Sequence, residues 1–337
     1  MGFMCCLLET ASHVVLALLG ARIALAIYRI IYPYFIAKRL GKGNQLSRHL
    51  KPGEWAVVTG ATDGIGKAYA MELAKSGANL LLIGRNAAKL QDVKDQIDAE
   101  CKVEMKLVTF DFAHSGQADY HKIGDELDGL NIGALGILPF QTSMVEKGCG
   151  LAVNSVGISY TELGRVGNVP HGEGLAEDML RVNCLSVTLM SRLVLEKMVE
   201  RGRGAIINIA SFSAVYPVPW LAIYAASKRY VSFLSECMRQ EYAGTGVEIQ
   251  CVFPHFVATK MSRMRPAFLV PTAEAYAKAA IGTFGIQAET YGCFPHSLMC
   301  ESLELLPACL VQWQVKSTMQ ALMAKQERQR AKAQKSQ

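Results

Sequence analysis

The segment WAVVTGATDGIGKAYAMELAKSGANLLLIGR, which starts at Trp55, constrains the fold of this chain more than any other. Ala56 to Val58 is a short apolar run of the kind that forms a buried strand. Gly60, Gly64 and Gly66 follow it. Lys67 to Lys75 then has helical periodicity and stops at Ser76-Gly77, a C-terminal helix signal. Asn79 to Ile83 reads as a second buried strand. Strand, glycine turn, helix and strand make a βαβ unit, and such a crossover places its two strands parallel. Glycines at the strand-to-helix turn let the backbone approach a pyrophosphate, and the helix N-terminus adds N–H donors and a positive dipole. A glycine triplet alone is weak evidence, but this one lies in the context a nucleotide site requires.

The alternation continues along the chain. Strands are predicted at 55–59, 79–84, 105–110, 150–154, 204–210 and 247–253, with a seventh near 290–294 and helices between them. That order predicts an α/β fold, a doubly wound Rossmann-type parallel sheet, here preceded by an N-terminal membrane segment. Some seventeen residues, ALGILPFQTSMVEKGCG at 134–150, intervene just before the fourth strand. They count as an insertion against the pattern of the family that the motifs below resemble, and they read either as a surface excursion or as an aberrant stretch that puts folding and activity at risk.

Chemistry is concentrated in the run YAASK. Tyr224 and Lys228 are one helical turn apart and share a face. Ser211, thirteen residues upstream, ends the apolar run AIINIAS. A free Tyr titrates near 10, and a Lys ammonium one turn away favours the phenolate and predicts a lowered pKa. A Ser hydroxyl beside them can hold a carbonyl or alcohol oxygen. The plainer reading of YxxxK alone is an amphipathic helix with a surface Lys.

Taken together, TGATDGIG from Thr59, NSVG from Asn154, Ser211 and YAASK resemble the short-chain dehydrogenase/reductase family over roughly residues 50 to 300. The match departs at two points. Asn154 and Gly157 fit the NNxG motif but Ser155 replaces its second Asn, and Pro254-His255 replaces the PG motif. The resemblance implies a catalytic set of Asn183, Ser211, Tyr224 and Lys228. In it Tyr224 moves the proton, Lys228 contacts the nicotinamide ribose, Ser211 orients the carbonyl and Asn183 holds a water. It implies cofactor contacts at Gly60, Thr62, Asp63, Gly64, Ile65, Gly66, Asp111, Asn154, Tyr224, Lys228, Val257 and Thr259. Within the family, ATDGIGKAYA, MVERGRGAI, PHFVATKM and YGCFPHSLM are similar to a membrane-bound subgroup. That subgroup holds the 17β-hydroxysteroid dehydrogenases of types 3 and 12, the latter also a very-long-chain 3-oxoacyl-CoA reductase. The implied activity is ketone reduction, foremost of a very-long-chain 3-oxoacyl-CoA in fatty-acid elongation. The alternatives are a 17-ketosteroid, or an inactive membrane-tethered binding protein. The implied partners are that lipid-like ketone, membrane lipid, a second copy in a homodimer and other membrane lipid-synthesis enzymes.

Cofactor choice is read at the end of the second strand, where NAD enzymes usually carry an acid for the ribose 2′-OH. This chain has Gly84-Arg85-Asn86. A guanidinium suits a 2′-phosphate and a carboxylate would repel it, so Arg85 predicts NADP(H). The plainer reading leaves Arg85 in solvent.

The N-terminus bears on location. Val14 to Ile36 is long enough to cross a bilayer, although Arg22 and Arg29 interrupt it. An Arg near the bilayer centre costs roughly 2.5–3.5 kcal/mol on insertion scales. Lys38, Arg39, Lys42, Arg48 and Lys51 follow, whereas the other flank has Glu9 and no base. The positive-inside rule then predicts a catalytic domain in the cytosol, and the resemblance implies the endoplasmic reticulum membrane. The domains are expected at 1–50 (anchor and basic linker), 51–313 (catalytic, with a lid at about 255–285) and 314–337 (basic tail). The tail bases Lys316, Lys325, Arg328, Arg330, Lys332 and Lys335 account for much of a formal +6 and read as a frayed end or a contact to anionic lipid. Basic residues do not alternate with aromatics, so no nucleic-acid partner is expected. The ten cysteines form no C-x-x-C pair and no metal site is expected; Cys5 and Cys6 are candidates for acylation. In the lid, Phe256, Met261, Met264, Phe268 and Leu269 are apolar candidates for core or substrate wall, and Lys260, Arg263 and Arg265 are placed to meet an anionic CoA headgroup.

Overall fold

A computed structural model describes residues 2–42, 45–130, 149–160, 162–168 and 172–335. Helix α1 (Gly2–Ile31) continues through a π-helical turn (Tyr32–Ile36) into α2 (Ala37–Arg39). Strand β1 (Trp55–Thr59) leads to α3 (Gly64–Lys75), β2 (Asn79–Gly84), α4 (Ala87–Glu100), β3 (Met105–Thr109) and α5 (Gln117–Gly129). Strand β4 (Cys149–Asn154) is followed by α6 (Gly172–Leu180), which passes through a π-helical turn (Arg181–Leu185) into α7 (Ser186–Glu200). Then come β5 (Gly204–Ile209), α8 (Ala222–Glu241), β6 (Val247–Val252), α9 (Ala273–Ile281), β7 (Glu289–Thr290), α10 (Phe294–Glu304) and α11 (Ala308–Lys335).

The strands form one sheet in the order β3-β2-β1-β4-β5-β6-β7, parallel throughout. Strands β1, β2, β4 and β5 are buried at every residue, as expected of strands covered on both faces. Alternate residues feed opposite layers. Leu80 and Leu82 join Tyr69, Leu73 and Tyr276 on one face, while Leu81 and Ile83 join Trp55, Val194 and Met198 on the other. Strand order reverses between β1 and β4, and the crevice at the carboxyl ends of these strands is where a doubly wound sheet takes a ligand.

The expected strands are all present, with shifted ends. Strand β4 begins at Cys149, and the last strand is only Glu289–Thr290 rather than 290–294. Most of the inserted stretch, 134–148, lies outside the described residues. Its last two residues enter the sheet. Trp55 pairs with Cys149 and Ala56 with Leu151, so Gly150 is bulged out of register. A Cβ on Gly150 would lie 2.8 Å from the His49 carbonyl, so glycine is what fits there. Arg201 Nη2 donates to the Cys149 carbonyl and holds the re-entry point.

The N-terminal helix is docked along one stripe. Ala26, Ile30, Pro33 and Ala37 are buried, at the spacing of one helical face. Tyr34 shares a 2.7 Å hydrogen bond with Ser297, and Phe35 packs edge-on against Phe294, both partners being on α10. The two arginines that interrupt the apolar run meet protein partners. Arg22 donates to the Glu304 carbonyl at 2.7 Å, and Arg29 lies 3.7 Å from Glu301 and 3.9 Å from Glu304. The opposite face stays apolar and exposed, from Val14 to Ile31. Glu9–Arg39, 31 residues, is long and apolar enough to cross a membrane.

Two expected boundaries move. Helix α9, inside the stretch expected to form a lid, is core, because Tyr276, Ala277 and Ala280 are fully buried beside α3 residues. The basic tail is not a separate segment. Its start at 314 falls inside α11, which is helical to Lys335. The side chains of Cys5 and Cys6 lie outside the described residues.

Candidate active site

The glycine turn is built so that no side chain can occupy it. Gly60 has φ +65°, and a Cβ there would lie 2.8 Å from the Val156 Cα. A Cβ on Gly66 would lie 2.4 Å from the Gly60 carbonyl oxygen. Gly64 has φ +55° and faces the Thr259 methyl. The turn is thereby pressed against the chain leaving β4, with the first turn of α3 opening beside it. Thr59 secures this contact, its Oγ1 accepting from Ser155 N at 3.1 Å and Val156 N at 3.2 Å. Ser155, which departs from the family's Asn, therefore leaves the backbone clamp intact. A pyrophosphate fits such a cradle, since glycine removes the side chains that would bar it.

Around the cradle, Asp63 caps α3 by accepting from Gly64 N at 2.8 Å and pairs with Lys260 at 3.0 Å. Burial raises the Asp63 pKa, but Lys260 and the Gly64 amide outweigh it and hold the carboxyl below its usual value. Lys260, itself exposed, thus pairs with Asp63 at the glycine turn. The Thr62 methyl would sit 2.7 Å from a Cβ on Gly84, so this third close-approach glycine is part of the site and carries no motif signal of its own. Arg85 is exposed at the end of β2, and Lys89, also exposed, acts electrostatically on Asp63. Asp111 accepts from Ala113 N at 3.0 Å and lies 3.1 Å from His114 Nδ1, fixing its orientation beyond β3. Ile65 packs against the core, and Val257 is buried with its carbonyl taken by the Ser262 hydroxyl.

Asn154 is tied into the protein through its side chain. Its side chain is buried and donates to Asn208 Oδ1 at 2.8 Å and Ser191 Oγ at 3.3 Å. It ties β4 to β5 and α7, so only its backbone is available to a cofactor. Asn208 and Ser191 are two partners that no sequence motif marks.

The four residues expected to be catalytic fall into two groups, Asn183 with Lys228 around Gly157 and Ser211 with Tyr224. Asn183 lies in the π-helical turn, fully buried. Its Oδ1 accepts from Ile158 N at 2.9 Å, and its Nδ2 donates to the Ile158 carbonyl at 3.0 Å and to Ser227 Oγ at 2.9 Å. Gly157 is the hub, because a Cβ there would lie 3.1 Å from Lys228 Nζ and 3.4 Å from Asn183 Oδ1. Ser211 follows β5, caps the short helix Phe212–Ala214 and interacts with the Tyr224 phenol. Burial raises the Tyr224 pKa and the Ser211 hydroxyl opposes it, so the phenol is protonated at neutral pH. Lys228 does not lower that pKa here. Its Nζ is turned to the Ile209 carbonyl at 3.0 Å, and burial pulls its own pKa down to about 8. One-turn spacing put the two side chains on one face but could not fix where the amine points.

His255 fills the place of the family's glycine. Its ring packs 5.1 Å from Phe212 and 4.7 Å from Phe256, and burial with the neighbouring His296 pulls its pKa down to about 4. It is therefore a neutral ring among Phe212, Phe256 and His296. Phe212 N still donates to the Pro254 carbonyl at 2.9 Å, so the lost glycine does not break this connection. Phe256, Met261, Met264, Phe268 and Leu269 are all exposed and so are not core.

The short-chain dehydrogenase family model matches residues 54–268. The human very-long-chain 3-oxoacyl-CoA reductase is 43% identical over 282 residues, covering 83% of this chain and 84% of that protein. Among solved structures, a short-chain dehydrogenase from Sphingobium yanoikuyae in complex with NADPH aligns with a TM-score of 0.59 at 23% identity, covering 80% of this chain and 95% of the other. A metagenomic short-chain oxidoreductase in complex with NADP gives a TM-score of 0.50 at 28% identity, covering 61% of this chain and 83% of the other. Sheet order, glycine turn and the Ser–Tyr–Lys set agree with these matches, and the chain belongs to the short-chain dehydrogenase family.

Proposed function

We propose that this protein is an NADPH-dependent ketoreductase acting on very-long-chain 3-oxoacyl-CoA esters. The observation that carries the proposal is the pairing of a protonated Tyr224 with Ser211, next to the Gly157 hub where Lys228 and Asn183 meet. The names of the 43%-identical relatives supply the substrate, and the NADPH and NADP complexes of the structural neighbours support the cofactor.

When bound, NADPH supplies a hydride to the carbonyl carbon. Tyr224 gives its proton to the carbonyl oxygen, and its raised pKa keeps the phenol in the donor form. The Ser211 hydroxyl holds the same oxygen in place. Lys228, with a pKa of about 8, keeps a positive charge beside Gly157 at neutral pH and is proposed to contact the nicotinamide ribose. Asn183 fixes Ile158 and the Ser227 turn of α8, which sets the cleft's floor.

Arg85 is proposed to grip the 2′-phosphate. Arg85→Ala should weaken NADPH binding roughly 10- to 150-fold, the worth of one charge-assisted hydrogen bond, and leave NADH binding nearly unchanged. Titration of both cofactors checks this, and an equal loss for both would make Arg85 structural.

The N-terminal helix is proposed as an anchor in the endoplasmic reticulum membrane, with the catalytic domain in the cytosol as the flanking bases suggest. A homodimer is also proposed. Leu180, Leu185 and Tyr230 are exposed around a shallow cavity of about 400 Å³, and Phe233 of α8 is exposed as well.

The deciding assay is NADPH oxidation by the purified full chain with 3-oxoacyl-CoAs and with 17-ketosteroids. We expect kcat/KM for the acyl-CoA to exceed that for the steroid at least tenfold. A steroid preference of that size would overturn the substrate, and a folded, cofactor-bound protein that turns over neither would overturn the enzyme.

A further inference from the structure

No step of the reaction uses Asp63 or Lys260, yet the two form an ion pair at the glycine turn. Lys260 Nζ lies 3.0 Å from Asp63 Oδ2, while Asp63 Oδ1 accepts from Gly64 N at 2.8 Å and caps α3. The partners come from distant parts of the chain. Asp63 follows β1, and Lys260 lies in the segment after β6. That segment is braced beside the turn. The Thr259 methyl would lie 3.2 Å from a Cβ on Gly64, Thr259 N donates to Ser262 Oγ at 3.2 Å, and the Ser262 hydroxyl donates to the Val257 carbonyl at 2.6 Å. A fixed backbone therefore brings Lys260 to Asp63.

A carboxylate is an awkward group to place here, because Asp63 stands close to the end of β2. Its neighbour Thr62 has a methyl that would lie 2.7 Å from a Cβ on Gly84, and Gly84 is followed by Arg85. Lys89, in the first turn of α4, acts on Asp63 electrostatically. Asp63 is thus near the same β2–α4 corner at which Arg85 is proposed to read a 2′-phosphate. An acid at that ribose is what NAD enzymes use, since it accepts from the 2′-OH. A phosphate monoester carries about −1.5 to −2 charge at neutral pH, so the same acid repels a 2′-phosphate. Left alone, Asp63 would oppose NADPH. Paired with Lys260, it keeps its hydrogen bond to Gly64 N while its charge is cancelled.

We propose that Lys260 is a cofactor-specificity residue, which neutralises Asp63 and so admits a 2′-phosphate to a corner that would otherwise favour NADH. Its role differs from that of Arg85. Arg85 supplies attraction for the phosphate, whereas Lys260 removes a repulsion and acts through Asp63. The pair is solvated, with the Lys260 side chain 81% exposed and that of Asp63 40%, so its effect on a ligand is moderate. This inference rests on the NADPH reading above.

The test is a double-mutant cycle on the full-length protein, reading equilibrium binding of NADPH and of NADH. No substrate is present, so a contact between Lys260 and a CoA ester cannot register. Lys260→Ala should weaken NADPH binding roughly three- to tenfold, the scale of one uncancelled exposed charge, and NADH binding by less than about twofold. Lys260→Arg keeps the charge and should bind both cofactors as the wild type does. Asp63→Asn retains an oxygen that can cap α3. In that background the Lys260→Ala change should cost nothing, because the charge it cancels is gone. The gap between wild type and Lys260→Ala should also shrink between about 0.05 M and about 0.5 M salt. An equal loss for both cofactors, or no loss for either, would overturn the specificity role. A loss that persists in the Asp63→Asn background would make Lys260 a direct phosphate ligand and overturn the neutralisation. If the wild type binds NADH more tightly than NADPH, the cofactor reading itself fails and this inference falls with it.

Discussion

Tyr224→Phe is expected to lower kcat by about 10²- to 10⁴-fold and to leave NADPH affinity within about twofold. The variant removes one hydroxyl from a ring that otherwise stays in its packing, so the loss reports the proton and not the fold. Burial raises the Tyr224 pKa, and the Ser211 hydroxyl is the opposing influence. Ser211→Ala should therefore raise that pKa further and lower turnover through poorer positioning of the carbonyl. Single-turnover rates with saturating cofactor, read alongside cofactor titrations, separate chemistry from binding. Near-normal turnover by Tyr224→Phe would remove Tyr224 from the mechanism. So would a loss wholly explained by weaker NADPH binding.

Much of this site is legible in the sequence, and the part that is not has a common cause. Buried strands show as apolar runs, and close-approach glycines show where they belong to a motif. Hence β1, β2, Gly60, Gly64 and Gly66 are all marked in the linear sequence. Ser211, Tyr224 and Lys228 are marked as well, because helical spacing and strand ends place them. Direction is not marked. Lys228 turns to the Ile209 carbonyl, Lys260 to Asp63 and the Asn154 amide to Asn208, each across a gap in sequence that no period encodes. Gly84 is needed only because Thr62 approaches it from another turn. The arginines of the N-terminal helix read as defects in an apolar run, whereas their partners Glu301 and Glu304 lie some 270 residues away on α10. The pair of hydrogen bonds between Gln326 of α11 and Leu163 is equally silent, since a lone Gln on a basic helix carries no pattern.

The second large effect is expected at the other end of the sheet, at Glu54. Its side chain is fully buried just ahead of β1, and Arg203 reaches it from just ahead of β5 through a paired contact, with Nη1 2.9 Å from Oε2. Lys51 N adds a 2.8 Å hydrogen bond, and Arg203 Nη1 also reaches the His49 carbonyl at 3.3 Å. The pair thus joins the entrance of β1 to that of β5, across the strand where Gly150 is bulged and the inserted segment rejoins the sheet. Removing one partner of a buried pair costs about 3–5 kcal/mol, because the other charge is left without compensation. Arg203 is partly exposed, so Glu54→Gln should lie near about 3 kcal/mol at neutral pH. Burial raises the Glu54 pKa, but Arg203 and the Lys51 amide outweigh it and the net shift is downward. A depressed carboxylate stabilises the fold above its unfolded pKa of about 4.3, and that stabilisation is lost as pH falls through the folded value. The difference between wild type and Glu54→Gln should accordingly be constant from about pH 6 to 8 and shrink below about pH 4. Urea unfolding of the solubilised full chain at several pH values checks both statements. A gap that stays the same into acid would mean that Glu54 acts by packing alone, and no gap at pH 7 would mean that the β1–β5 junction is held without the pair.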